Sequence, residues 1–350
     1  MTDPTMAMTS DVAIWVAIVV LALALTSFSV YLALAGAASE RKVDVRARQK
    51  VGAAVAGGST AGGALGATFP EDHLDASTEA RQPTAAGTAL APPADTSTSP
   101  KARRWGVIGL QLTWLATFLV VAGTVLRMLS VTRAPLGNMY EFVLVTASFT
   151  LLVYSAWSLK QARLWLGIFV VLPVTLMLVA AKLWWYTEAS QLMPALESLW
   201  LVTHVTIATL SIALFVIGAG LATAYLVKDR AQTKDAVRGW LAALPEASAL
   251  ERMTYGIHIL AFPLWTFTVI SGAIWAEQAW GRYWGWDPKE TWSFVIWVVY
   301  AAYLHARATS SWSTRKATWV AIVGFACIII NYTVVNLLMT GLHAYSGVAS

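Results

Sequence analysis

Charged residues are scarce in this chain. They make up 12% of its 350 residues, about half the ~25% typical of soluble domains. So little polar surface excludes an ordinary water-soluble globule and makes lipid the expected solvent. Cysteine is almost missing. The single Cys327 lies inside an apolar run, so neither an internal disulfide nor a Cys-x-x-Cys redox pair can form. Redox chemistry would have to come from a cofactor or a partner. A basic segment ahead of the first apolar run is absent too; Asp3 and Asp11 stand there instead. That run, roughly Val12 to Ala38, exceeds the ~7–15 residues of a secretion signal, so the sequence does not read as one with a removable leader. Nothing points to nucleic acid.

What is plentiful is apolar surface. Hydrophobic residues make up 57% of the chain, the mean hydropathy is +0.61, and there are 18 tryptophans. A bilayer core takes about 20 apolar residues per helix. Eight segments qualify: approximately Val12–Ala35, Trp105–Leu126, Tyr140–Leu159, Leu164–Ala181, Leu199–Val227, Tyr255–Ala276, Thr291–Ala306 and Ala317–Gly341. The expected fold class is therefore all-α, a polytopic integral membrane protein of about eight helices. Basic residues set its orientation. Nineteen of the 24 fall in the loops between helices 1 and 2, 3 and 4, 5 and 6, and 7 and 8; the alternate loops hold only Arg127, Arg133, Lys182, Arg282 and Lys289. Both termini are then expected outside.

Three regions follow from this pattern. Residues 1–40 hold the first helix. Residues 41–104 are basic at both ends, and from Val43 to Pro100 they are rich in Ala, Gly, Thr, Ser and Pro without an apolar period, which reads as a disordered cytoplasmic linker. Residues 105–347 form a seven-helix core, with an outer loop over 275–292.

That loop contains Trp280-Gly-Arg-Tyr-Trp-Gly-Trp-Asp-Pro-Lys-Glu-Thr-Trp292, preceded by Trp275. An interfacial aromatic belt explains one or two such tryptophans, not five beside glycines and a charged turn. Indoles next to glycines suggest a flat apolar shelf, with Arg282 and Lys289 at its rim to meet carboxylates. A planar apolar ligand with two acid groups, such as haem, suits it.

The same string closely resembles the tryptophan-rich WWD signature of the CcsA/ResC/CcmC family of cytochrome c maturation proteins. The resemblance extends over roughly Trp105 to Gly347 and includes Pro135-Leu-Gly-Asn-Met-Tyr-Glu-Phe142, Trp200-Leu-Val-Thr-His204 and Tyr303-Leu-His-Ala-Arg307. It is strongest to the CcsA/ResC-type subunit of the two-protein synthase. The first helix and its linker lie outside it, and no large ResB-like domain is present.

Of the five histidines, His73 sits beside Glu71 and Asp72 in the linker and reads as a solvated residue. His204 lies near the outer end of helix 5 and His343 just after helix 8. Two imidazoles can thus flank the tryptophan loop, and imidazoles are axial ligands of haem iron. The resemblance implies the same: His204 and His343 as external haem ligands, with Trp280, Trp284, Trp286, Asp287 and Trp292 in the haem platform. His305, deeper on helix 7, matches a family histidine linked to a second, inner haem position whose other ligand comes from a ResB-like partner. His258, at a similar depth on helix 6, reads as structural.

The resemblance implies a plasma-membrane protein that moves haem b across the bilayer. It would present the haem on its outer face to an apocytochrome c bearing Cys-x-x-Cys-His, as a subunit of a holocytochrome c synthase. No nucleophile or general base stands out, so catalysis would rest on proximity and orientation. A transmembrane b-type electron carrier would want histidine pairs at both depths. A haem-free solute transporter would bind none.

Overall fold

The computed structural model describes residues 3–58, 99–190, 198–309 and 311–343. His73 and most of the expected linker lie outside them. Among the described residues the fold is all-α without strands. Its helices are α1 (Pro4–Gly58), α2 (Pro100–Val131), α3 (Met139–Lys160), α4 (Gly167–Trp184), α5 (Leu199–Thr233), α6 (Ala247–Trp280), α7 (Pro288–Ala308) and α8 (Thr314–Ile330). After α8 come a π-helical turn, Asn331–Val335, and a short helical tail, Asn336–Leu338.

Seven of these helices are long and apolar enough to cross a membrane. The eighth expected span, α7, does not reach that apolarity, because its sequence carries Lys289, Glu290, His305 and Arg307. Its 21 residues nevertheless extend about 31 Å, close to the ~30 Å hydrocarbon thickness.

Hydrogen bonds assign the helix ends to two poles. At one pole the Asp3 amide donates to Ser130 O (2.8 Å), Arg133 reaches Ser190 O, and the Tyr332 hydroxyl donates to Met139 O (2.6 Å). Leu342 N donates to Asp287 there as well. The first described residues and the last therefore share one pole. At the other, Arg315 pairs with Asp229 (2.6 Å), Arg307 with Glu251, and Gly239 N donates to Glu40 (2.7 Å).

The helix starts are written locally. Ser99, Asn138, Ser198, Asp287 and Ser313 each accept an amide of the following turn, and side-chain oxygens at this position satisfy donors a helix otherwise leaves orphaned. Gly281, at φ +68°, ends α6 in the left-handed region that glycine enters without steric cost.

Two expectations need correction. The linker was expected over 41–104, yet α1 continues to Gly58 and α2 begins at Pro100, so both ends of that stretch are helical. The first helix was also expected to stand apart from a seven-helix core. Instead Ile14, Ala17, Leu21 and Phe28 are fully buried in one cluster with residues of α2, α3 and α4. Gly109 and Gly167 make room for the Phe28 ring, which lies within 3 Å of where their Cβ atoms would be. Asp11 locks the N-terminal end of α1 by pairing with Lys182 (2.8 Å).

A second lock holds the α2–α3 connection. Glu141 is fully buried and accepts from Arg127 (3.0 Å), Arg133 (2.8 Å) and Gly137 N (2.8 Å). Arg127 itself is 1% exposed and also donates to the Thr187 carbonyl. Removing one partner from such a group strands a buried charge, at about 3–5 kcal/mol. Glu141→Ala should therefore lower the unfolding midpoint of the detergent-purified protein strongly, and Glu141→Gln less, as read by a thermal melt.

Candidate functional site

The pole that carries the chain ends also holds a cavity of about 190 Å³. Four separate sequence segments wall it. Leu136–Phe142 comes from the α2–α3 connection, His204 and its neighbours from the start of α5, Trp275 and Trp284 from either side of the α6–α7 turn, and His343 from beyond α8. These are the stretches the sequence marked as motifs, except that of His305.

His204 and His343 both line this cavity. His204 Nδ1 lies 2.9 Å from Thr268 O, a carbonyl that can only accept. The proton is therefore on Nδ1, and Nε2 keeps a free lone pair. Gly272 provides the space: a Cβ there would sit 2.7 Å from His204 Cε1. His343 Nδ1 lies 2.8 Å from Asp287 Oδ2, which fixes the same tautomer. Burial pulls the His343 pKa below the usual imidazole value, and the Asp287 carboxylate partly opposes this. Below the resulting pKa the ring would carry a second proton and Nε2 would be lost as a ligand atom; near neutral pH it is available. The two rings share Trp275. His204 stacks on it with centroids 6.3 Å apart and planes 11° apart, and His343 meets it edge-on at 5.8 Å.

The tryptophans do not form a flat shelf. Trp284 and Trp286 stand at 89°, and Trp275 and Trp280 at 67°, which is the edge-to-face arrangement that aromatic quadrupoles favour. Trp284 lines the cavity. Trp280 packs on the His343 ring at 4.8 Å. Trp286 is 68% exposed and adopts φ +57°. Trp292 packs against the apolar core below. The expected platform is thus a cavity wall, and only part of the motif faces inward.

Asp287 has a different place from the one expected. It caps α7, forms a capping box with Glu290, and accepts both Leu342 N (2.7 Å) and His343 Nδ1. It holds the segment that carries His343 rather than lining the cavity. Lys289 does not stand at a rim. Its Nζ donates to Asn331 O (3.1 Å), on the π turn that follows α8, and to Asn336 Oδ1 (2.8 Å), at the start of the short tail after it. The expected rim partner Arg282 is exposed.

His305 and His258 have different surroundings. His305 is exposed on α7, about 26 Å from the start of that helix. His258 is 1% exposed, donates from Nδ1 to Thr254 O (2.6 Å), and is packed by Phe215, Tyr300 and Tyr303. The structural reading of His258 fits this arrangement.

Sequence reasoning passed over Asn331 and Glu290 as site residues, and took Trp275 only as part of the tryptophan shelf. Asn331 carried a signal, because a polar residue within an apolar span is uncommon and functional by default. Glu290 was hidden by its role as a helix cap.

Fold and site together define a polytopic helical membrane protein with two imidazoles on one tryptophan-walled cavity. The chain belongs to the family described as Cytochrome C assembly protein, whose model matches residues 136–343. It is 36% identical over 259 residues to the cytochrome c biogenesis protein CcsA of Guillardia theta, covering 68% of this chain and 85% of that one. It is likewise 36% identical over 270 residues to the protein of that name from Synechococcus sp. (strain CC9902), covering 69% and 87%.

The hold on His343 can be tested without any ligand. A Cβ at Gly341 would lie 2.4 Å from Asp287 Oδ1. Gly341→Ala should break the Asp287–His343 contact, worth about 1.5–3 kcal/mol for a charged hydrogen bond. Reactivity of His343 toward diethyl pyrocarbonate, mapped by mass spectrometry, should rise.

Proposed function

We propose that this chain acts in cytochrome c maturation, holding haem b at the outer cavity between His204 and His343 for thioether attachment to an apocytochrome c. One observation carries the reading: two imidazoles on one cavity each have Nδ1 engaged by an acceptor and Nε2 left free. Haem iron takes such nitrogens axially, and second-shell acceptors of this kind orient them and raise their basicity. The remaining wall is mainly apolar, with Trp275, Trp284 and Phe142 among its residues, as a porphyrin face requires. Bound there, the haem supplies the vinyl groups to which the two cysteines of a Cys-x-x-Cys-His segment become attached. The chain's own part is to bind, orient and shield it.

The cavity pole is proposed to be extracytoplasmic and the membrane the plasma membrane. Support comes from the basic residues, 19 of 24 of which fall, in sequence, between expected helices 1 and 2, 3 and 4, 5 and 6, and 7 and 8, the bias that marks cytoplasmic connections. Fusions of a compartment reporter after Gln278 and after Ser313 should report opposite sides; the same side for both would overturn the orientation.

A ResB-like membrane subunit is proposed as partner. His305 is an ionisable residue exposed on the outside of α7, a costly position against lipid, and His258 is packed away from it. An inner haem there would draw its second ligand from the other subunit.

His204→Ala and His343→Ala should each abolish maturation while leaving insertion intact, and added imidazole should restore it in part. Trp284→Ala should weaken haem retention by about 2–3 kcal/mol for a lost indole surface, without rescue by imidazole. Trp286→Ala, changing an exposed ring, should cost under about 1 kcal/mol on the same area basis. Haem content of the purified variants and a cytochrome maturation assay read these outcomes. Normal maturation by both histidine variants would sink the ligand assignment.

A further inference from the structure

Glu290 carries an unused oxygen. Its Oε2 accepts Gly285 N (2.8 Å) and Asp287 N (3.1 Å). The left-handed Trp286 between them turns both amides toward that one atom. Oε1 is buried without a hydrogen-bond partner in a side chain 7% exposed, and the residue lines the cavity with His204 and His343. A buried acceptor left empty has lost its hydration without compensation, so a cavity wall that keeps one is built to receive a donor.

Resting on the reading above, the two guests of this cavity are haem and the apocytochrome segment. Haem has no donor to offer. Its vinyl and methyl edges are apolar, its ring nitrogens hold the iron, and its ionised carboxylates would be repelled by Glu290. The donor must come from the polypeptide, and the groups that have to reach the haem edge are its cysteine thiols.

We propose that Glu290 Oε1 is a catalytic residue that accepts the hydrogen of an incoming cysteine thiol. The carboxylate takes the proton as the S–H bond breaks. Sulfur bonds to the vinyl carbon next to the ring, the vinyl π pair takes up a proton at the terminal carbon, and Glu290 supplies it. One S–H and one C=C π bond are exchanged for one C–S and one C–H bond. No oxidant or reductant is consumed, and the carboxylate is regenerated.

The test uses the full-length protein loaded with mesohaem, whose ethyl groups cannot react, so that binding is read apart from chemistry. Apocytochrome peptides carrying Cys-x-x-Cys-His or Ser-x-x-Ser-His should bind about three- to tenfold more tightly than Ala-x-x-Ala-His, the range for the net gain of one ordinary hydrogen bond. In Glu290→Gln the amide oxygen can still accept the two backbone amides while its NH2 faces the cavity. That variant should keep the haem spectrum, lose the Cys and Ser preference, and attach haem at least tenfold more slowly. Equal binding of the three peptides to the unaltered protein overturns the proposal, with no variant needed. So does wild-type attachment by a haem-loaded Glu290→Gln. Failure of the unaltered protein to hold haem with a two-histidine spectrum would instead sink the cavity reading itself.

Discussion

One carboxylate organises the pole that holds the cavity. Asp287 begins α7 by capping it, and with its two oxygens it also takes Leu342 N and the His343 ring. Its proximity to water is small; only 7% of the residue is exposed. A buried carboxylate is tolerated when donors surround it, and here the donors are the pieces that must be brought together. The helix start, the chain after α8 and the imidazole tautomer are therefore settled by the same charge. Lys289, two residues on, repeats the arrangement with opposite sign by donating to the π turn. The last segment of the chain is thus tied twice to the first turn of α7.

The remaining helices serve this pole by fixing depth and direction. Glu141, held by two arginines and Gly137 N, sets the α2–α3 connection whose residues form one wall. Ser211 bonds across to Ala261 O (2.9 Å), and the small residues Gly218 and Gly272 let the rings of His258 and His204 lie between α5 and α6. In an apolar solvent such contacts do the aligning that water-driven collapse does in soluble folds.

Much of this was legible in the sequence. The eight helical segments follow from apolar length, and His204, His343 and the tryptophan string from position and motif. What was not legible has two causes. Composition hid the length and packing of the first helix: Val43 to Pro100 reads as unstructured, yet helix continues to Gly58, and small residues at 36, 109 and 167 in fact mark close packing of α1. Residue type alone does not tell direction. Five tryptophans read as one surface, whereas Trp284 faces the cavity, Trp286 faces out and Trp292 joins the core. Asp287 and Glu290 likewise read as a turn, because a capping box gives no hint that its oxygens have second partners.

The burial of α1 also bears on how the first helix is fastened. Its Phe28 sits between α2 and the start of α4, and Asp11 pairs with Lys182, so its own side chains anchor it at two depths.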